Sequence, residues 1–106
     1  MFGLLQKTKI NEININDVDD LMGKINLVDI REEYEYKSGS IKTAKNIPMN
    51  QLLNNHDKYL QMGKKYYMFC LSGARSKRTV SYLAKIGYDV VNLSGGIGSY
   101  RGKNRK

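Results

Sequence analysis

The chain has 106 residues, 41% of them hydrophobic, with ten glycines and a formal net charge of +8. That length bounds it to one domain with a modest core, and the composition excludes disordered and fibrous classes. A single cysteine excludes an internal disulfide, a C-x-x-C redox pair and any cysteine-rich metal site within the chain.

Taken in chain order, residues 1–9 read as a lead-in. Met1-Phe2-Gly3-Leu4-Leu5 is apolar but is broken at once by Gln6-Lys7-Thr8-Lys9, which does not resemble a secretory signal. Ile10 to Ile15 alternates imperfectly and predicts an edge strand. Asn16 or Asp17 caps a short helix through Met22, with Gly23 as its stop. Leu27-Val28-Asp29-Ile30 reads as a buried strand, and Glu32 to Lys37 as a short helix ended by Ser38-Gly39. Ala44 to Ile47 is a third strand closed by Pro48. Met49 to Met62 predicts one amphipathic helix with Leu52, Leu53 and Leu60 inward. Tyr66-Tyr67-Met68-Phe69 is an apolar, aromatic strand without a breaker. A small-residue loop follows, and then a helix over Ser76 to Ile86 with Gly87 at its C-terminal turn. Val90 to Leu93 is the last strand, and Ser94-Gly95-Gly96 turns into a final short helix. Residues 102–106 read as a disordered basic tail. Strands alternating with helices predict an α/β fold, a parallel sheet of about five strands with helices on both faces.

Cys70 stands where such a sheet places ligands, between the C-terminal end of a strand and the start of a helix. There the thiol faces unpaired backbone N–H groups and the positive end of a helix dipole, surroundings that favour thiolate. Ser72, Gly73, Ala74 and Ser76 are small enough for the loop to curl with its N–H groups inward. Arg75 adds a permanent planar cation at the rim. Cys70 is the candidate nucleophile, and Leu71, Ser72, Gly73, Ala74, Arg75 and Ser76 are its candidate anion cradle.

Charge is uneven. Beyond Asp57 the only acid is Asp89, so the half carrying Cys70 is the basic half, a field that steers small anions inward. An acidic protein partner fits that surface. No aromatic–basic interleave or recognition motif supports nucleic acid as a partner. No stretch approaches the roughly 20 apolar residues that span a membrane. A monomeric, soluble, cytoplasmic protein with a reduced thiol is expected.

The chain resembles the single-domain rhodaneses, sulfurtransferases, from about Ile10 to Tyr100. The resemblance is carried by Leu27-Val28-Asp29-Ile30-Arg31-Glu32-Glu33-Tyr34-Glu35-Tyr36 with Gly39, Ile41, Ala44 and Asn46-Ile47-Pro48. Cys70-Leu71-Ser72-Gly73-Ala74-Arg75-Ser76 is the second signature, and Gly87-Tyr88 with Leu93 and Gly95-Gly96 the third. It implies a thiosulfate sulfurtransferase-like enzyme without metal or organic cofactor. In it Cys70 takes sulfur from a small sulfur anion, becomes a persulfide, and passes sulfur to a thiol or cyanide. A persulfide carrier between protein partners, with weak thiosulfate turnover, is the alternative. A thiolate-dependent phosphatase or arsenate reductase is a third, disfavoured because four residues separate Cys70 from Arg75 where the phosphatases of the resemblance carry five. The chain departs from the pattern at Ser40, at Lys42-Thr43 (where Pro-Gly is usual) and at Tyr100. Asp29 and Arg31 read as structural, with Glu35 expected to pair with Arg31. Leu93-Ser94-Gly95-Gly96 resembles a transporter-ATPase signature, but no phosphate-binding loop accompanies it. The lone His56 reads as an exposed helix residue.

Overall fold

The computed structural model describes residues 9–106. Five parallel strands form one sheet in the order β1-β5-β4-β2-β3: β1 Asn11–Asn14, β2 Asn26–Asp29, β3 Lys45–Asn46, β4 Lys65–Phe69 and β5 Asp89–Ser94. The helices are α1 Glu33–Lys37, α2 Met49–Asn54, α3 His56–Tyr59 and α4 Ala74–Lys85, with short 3-10 helices at Ile15–Leu21 and Ile97–Ser99. The parallel α/β architecture expected from the alternation is therefore present, and β4 is the middle strand. Among the described residues no helix is long and apolar enough to cross a membrane.

Two apolar layers sandwich the sheet. Val28, Met68 and Val90 face Leu52, Leu60, Val80 and Leu83 on the α2–α4 side. Leu27, Phe69 and Leu93 face Ile15, Val18, Ile41, Ile97 and Tyr100 on the other, where the 3-10 helices lie. Alternate strand residues thus serve opposite faces, so β4 is aromatic or apolar from Tyr66 to Phe69 because both faces are covered there. At roughly 1.5–3 kcal/mol for each fully buried aliphatic or aromatic side chain, these layers fix the ends of the strands firmly.

Several elements differ from the sequence reading. The expected helix over 49–62 is two short helices, because Asn55 sits at φ −140° and ψ 43°. Asparagine competes for local hydrogen bonds and breaks helices easily. α4 starts at Ala74 rather than Ser76, since Gly73 in the left-handed region (φ 96°) turns the chain into the helix at once. The third strand is only Lys45–Asn46. His56 is half-buried, its Nδ1 lying 2.8 Å from the Tyr88 hydroxyl.

The expected disordered tail is a strap. Ser40 and Lys106 exchange backbone hydrogen bonds at 3.3 and 3.1 Å, and the Lys42 N–H donates to Asn104 O at 2.7 Å. The Arg105 guanidinium donates to the carbonyls of Ile97 and Tyr100, both at 3.0 Å. A segment with no apolar residue gives no hydrophobic signal, yet its backbone groups pair as any others do.

Thr43, where the resemblance has glycine, adopts φ 70°, the only non-glycine positive φ among the described residues. A β-branched residue there is strained by about 1–2 kcal/mol. Thr43→Gly is therefore expected to stabilise the fold by about 0.5–1 kcal/mol, the gain being trimmed by glycine's unfolded-state entropy. Urea unfolding measures this, and a destabilised variant would show that the Thr43 side chain compensates its own strain.

Candidate active site

The chain leaves β4 at Phe69 and reaches α4 at Ala74, so the four residues from Cys70 to Gly73 must reverse direction above the central strand. The Cys70 sulfur is enclosed by donors. The Gly73 N–H lies 3.1 Å from Sγ, the Ser76 N–H 3.4 Å and the Ser76 hydroxyl 3.5 Å. Burial of the thiol works against ionisation. The hydrogen bonds from the Ser76 hydroxyl and from the N–H groups of Ser76, Gly73 and Arg75 outweigh it, and the thiol ionises below its ordinary range. The side chain has no solvent exposure at all, so Cys70 forms the floor of the loop and belongs to the core beneath it.

Inward N–H groups require outward carbonyls, and the segment after β5 receives them. Ile97 N–H donates to Cys70 O and Gly98 N–H to Leu71 O, both at 2.9 Å. Gly96 makes this approach possible. A Cβ there would lie 2.2 Å from Leu71 O and 2.7 Å from Cys70 O, and its φ is +67°. The Gly95-Gly96 turn, part of the third signature of the resemblance, is thus the buttress of the loop.

The predicted loop residues are brought together, but Arg75 is not a free rim cation. Its Nη1 and Nη2 donate to Glu35 Oε1 and Oε2 at 2.9 and 3.1 Å, a bidentate pair joining α4 to α1. Arg31, expected to hold Glu35, is buried and instead pairs with Asp29. Its Nη2 lies 2.8 Å from Asp29 Oδ2 and 2.6 Å from Gly39 O. The Ser40 hydroxyl also donates to Asp29 Oδ2, at 2.8 Å. Geometry decides the exchange. Arg31 follows Asp29 by two residues at a strand end and reaches its carboxylate locally, which leaves Glu35 free for α4. Hydrogen bonds from Arg75 hold the Glu35 carboxyl below its usual range, and the same contacts raise Arg75. The sequence signal for Glu35 was its spacing from Glu32. The Glu35 carboxylate accepts from the Glu32 N–H at 3.0 Å in a reciprocal helix cap.

The chain belongs to the rhodanese-like family, whose profile matches residues 14–103. It is 39% identical over 83 residues to a tRNA uridine(34) hydroxylase of Bartonella bacilliformis, covering 70% of this chain and 27% of that protein. A Bacillus subtilis protein named as a candidate sulfurtransferase, YtwF, is 33% identical over 74% of this chain and 76% of its own length. A crystal structure of a rhodanese-like domain protein from Staphylococcus aureus superposes with a TM-score of 0.81 at 27% identity, covering 92% of this chain and 97% of that one. The chain spans between 27% and 64% of the length of the first three curated relatives it matches.

The geometry fixes two expected outcomes. Alkylation of Cys70 followed against pH should show a midpoint below that of a free cysteine thiol, and Ser76→Ala should move it upward by removing a donor. Gly96→Ala should destabilise the fold by more than about 2 kcal/mol and raise the same midpoint, because the loop carbonyls must give way. Unfolding curves and alkylation rates check both. An unshifted midpoint in Ser76→Ala would place thiolate stabilisation in the backbone donors alone.

Proposed function

We propose that this domain transfers sulfane sulfur through a persulfide on Cys70, in a reducing, cytoplasmic setting. The observation that carries the reading is the ring of donors on Sγ from Gly73 and Ser76. The Cys70 thiolate attacks the outer sulfur of a donor such as thiosulfate. The S–S bond to Cys70 forms as the donor's own S–S bond breaks, and sulfite leaves with the electron pair. The product Cys70–S–S⁻ carries its charge one atom further out, within the loop from Leu71 to Ser76. Preorganised donors matched to a developing charge contribute about 3 kcal/mol each. A thiophilic acceptor, cyanide or a thiol, then takes the terminal sulfur and returns the Cys70 thiolate.

The four-residue spacing from Cys70 to Arg75 supports a sulfur species over a tetrahedral phosphate. The chain's similarity to YtwF supports the same class. A second reading, a carrier relaying sulfur between proteins, is favoured by the complete burial of Cys70 and by the pairing of Arg75 with Glu35. Small free anions find neither an open thiol nor an unpaired guanidinium in this loop. Hydroxylation of tRNA, the activity in the Bartonella relative's name, is not assigned to a chain spanning 27% of that protein.

Intact mass after incubation with thiosulfate should rise by one sulfur atom and return on adding cyanide or a thiol. Cys70→Ser should show neither change while keeping the wild-type unfolding midpoint, since a hydroxyl is not ionised at neutral pH. Thiocyanate production by purified Cys70→Ser would overturn the assignment of Cys70.

A further inference from the structure

We propose that Glu35 is a specificity-determining residue. It neutralises the cation of the Cys70 loop, and so discriminates against small free dianions in favour of a persulfide presented by a neutral or basic segment of a partner protein. The proposal rests on the sulfur-transfer reading for its substrate, though not for its electrostatics.

The loop from Leu71 to Ser76 contains one cation, Arg75. Both terminal nitrogens of its guanidinium face the two Glu35 oxygens, with side-chain exposures of 29% and 16%. Half-buried, charge-assisted and bidentate, this pair is not a surface contact that salt and entropy dissolve. Glu35 is also held from behind. Its Oε1 accepts from the Glu32 N–H while the Glu32 side chain accepts from the Glu35 N–H, so releasing Arg75 does not free Glu35 to swing away. Glu32 is near enough to act on the Arg75 guanidinium as well. The third acid of this turn, Glu33, lies 3.5 Å from Lys37.

A positive total charge therefore coexists with a loop cation already matched by a carboxylate, with Lys77 bordering the loop on the side of Ser72, Gly73 and Ala74. A dianion such as thiosulfate meets repulsion from Glu32 and an already occupied guanidinium. A persulfide borne on a partner brings its charge on one terminal sulfur, which the loop N–H groups receive. The partner's basic or neutral residues then meet the acidic first turn of α1. The same two elements expose apolar side chains for such a contact, Tyr34 on α1 and Leu71 in the loop.

The test compares alkylation of Cys70 by iodoacetate, an anion, and by iodoacetamide, its neutral counterpart, in the full chain. Glu35→Gln keeps the helix cap and one hydrogen bond to Arg75 but removes the charge. The iodoacetate-to-iodoacetamide rate ratio is expected to rise roughly threefold to tenfold, shrinking at high salt. Glu32→Gln, which leaves the Arg75–Glu35 pair intact, should raise it less. The thiosulfate KM of Glu35→Gln should fall by about tenfold, because a dianion gains more than a monoanion. A ratio unchanged in both variants overturns the proposal. A raised ratio with an unchanged thiosulfate KM overturns the donor selection. A raised ratio in a protein that forms no persulfide from any donor supports the charge discrimination and overturns the sulfur-transfer reading instead.

Discussion

The structure turns on the direction of peptide groups in one loop. A buried sulfur can hold negative charge only if N–H groups point at it, and every N–H turned inward turns a carbonyl outward. Orphaned carbonyls cost about 1–3 kcal/mol each, so the loop needs an acceptor-satisfying surface beside it. The 3-10 turn at Ile97–Ser99 provides that surface by donating to Cys70 O and Leu71 O. The approach is so close that no side chain fits at Gly96. The parallel pairing of β4 with β5 is what brings the two chain segments side by side at the same end of the sheet. The surroundings of Cys70 therefore depend on one glycine 26 positions further along the chain, Gly96, as much as on its own neighbours.

A second layer of order fixes the other side of the loop. Asp29 and Arg31 are both buried at the end of β2, and a buried ion pair is weak evidence for stability because desolvating it costs several kcal/mol. Its partners give it another role. The Arg31 guanidinium holds Gly39 O, Asp29 holds the Ser40 hydroxyl, and the backbone of Ser40 pairs with Lys106. Asn46 closes the group by donating to the carbonyls of Asp29 and Arg31 at 3.0 and 2.9 Å. This network sets where α1 begins, and with it where Glu35 meets Arg75. Removing one member would strand a buried charge, so the cluster behaves as a unit.

Legibility in the sequence followed the kind of force involved. Strands β2, β4 and β5 were visible within one or two residues because burial on both faces concentrates apolar residues into short runs, broken only by the buried Asp29 and Asn92. The site was visible because a thiol, small residues and a cation stand at a strand-to-helix junction. The strap at 102–106 was not visible, since Gly102-Lys103-Asn104-Arg105-Lys106 is held by backbone pairing and by polar contacts to Asp19, Ile97 and Tyr100. The break at Asn55 was hidden inside a helical periodicity that α2 and α3 together nearly satisfy. Ion-pair partners were the least legible. Glu35 lies four residues from Arg31 and 40 from Arg75, and local spacing suggested the nearer cation. The chain's short reach from Arg31 to Asp29 excludes it.

That exchange of partners alters how charge should be understood here. A net charge of +8 and a basic C-terminal half describe the field averaged over the surface, which affects solubility and encounter out to roughly a Debye length. Within about 8 Å of a reactive atom the individual pairs decide. Arg75 counts as an isolated positive charge in the sequence but as one half of a near-neutral ion pair in the fold. The lowered ionisation of Cys70 owes its largest favourable contributions to Ser76 and the loop amides rather than to any guanidinium. Dipoles of fixed orientation stabilise a thiolate without attracting every anion in solution, whereas a bare cation would do both. A loop built this way favours a charged Cys70 sulfur without a free cation beside it. In the proposed reaction, activation of the sulfur would rest on Gly73 and Ser76 and selection of its donor on Glu35, so that the two tasks fall to different residues.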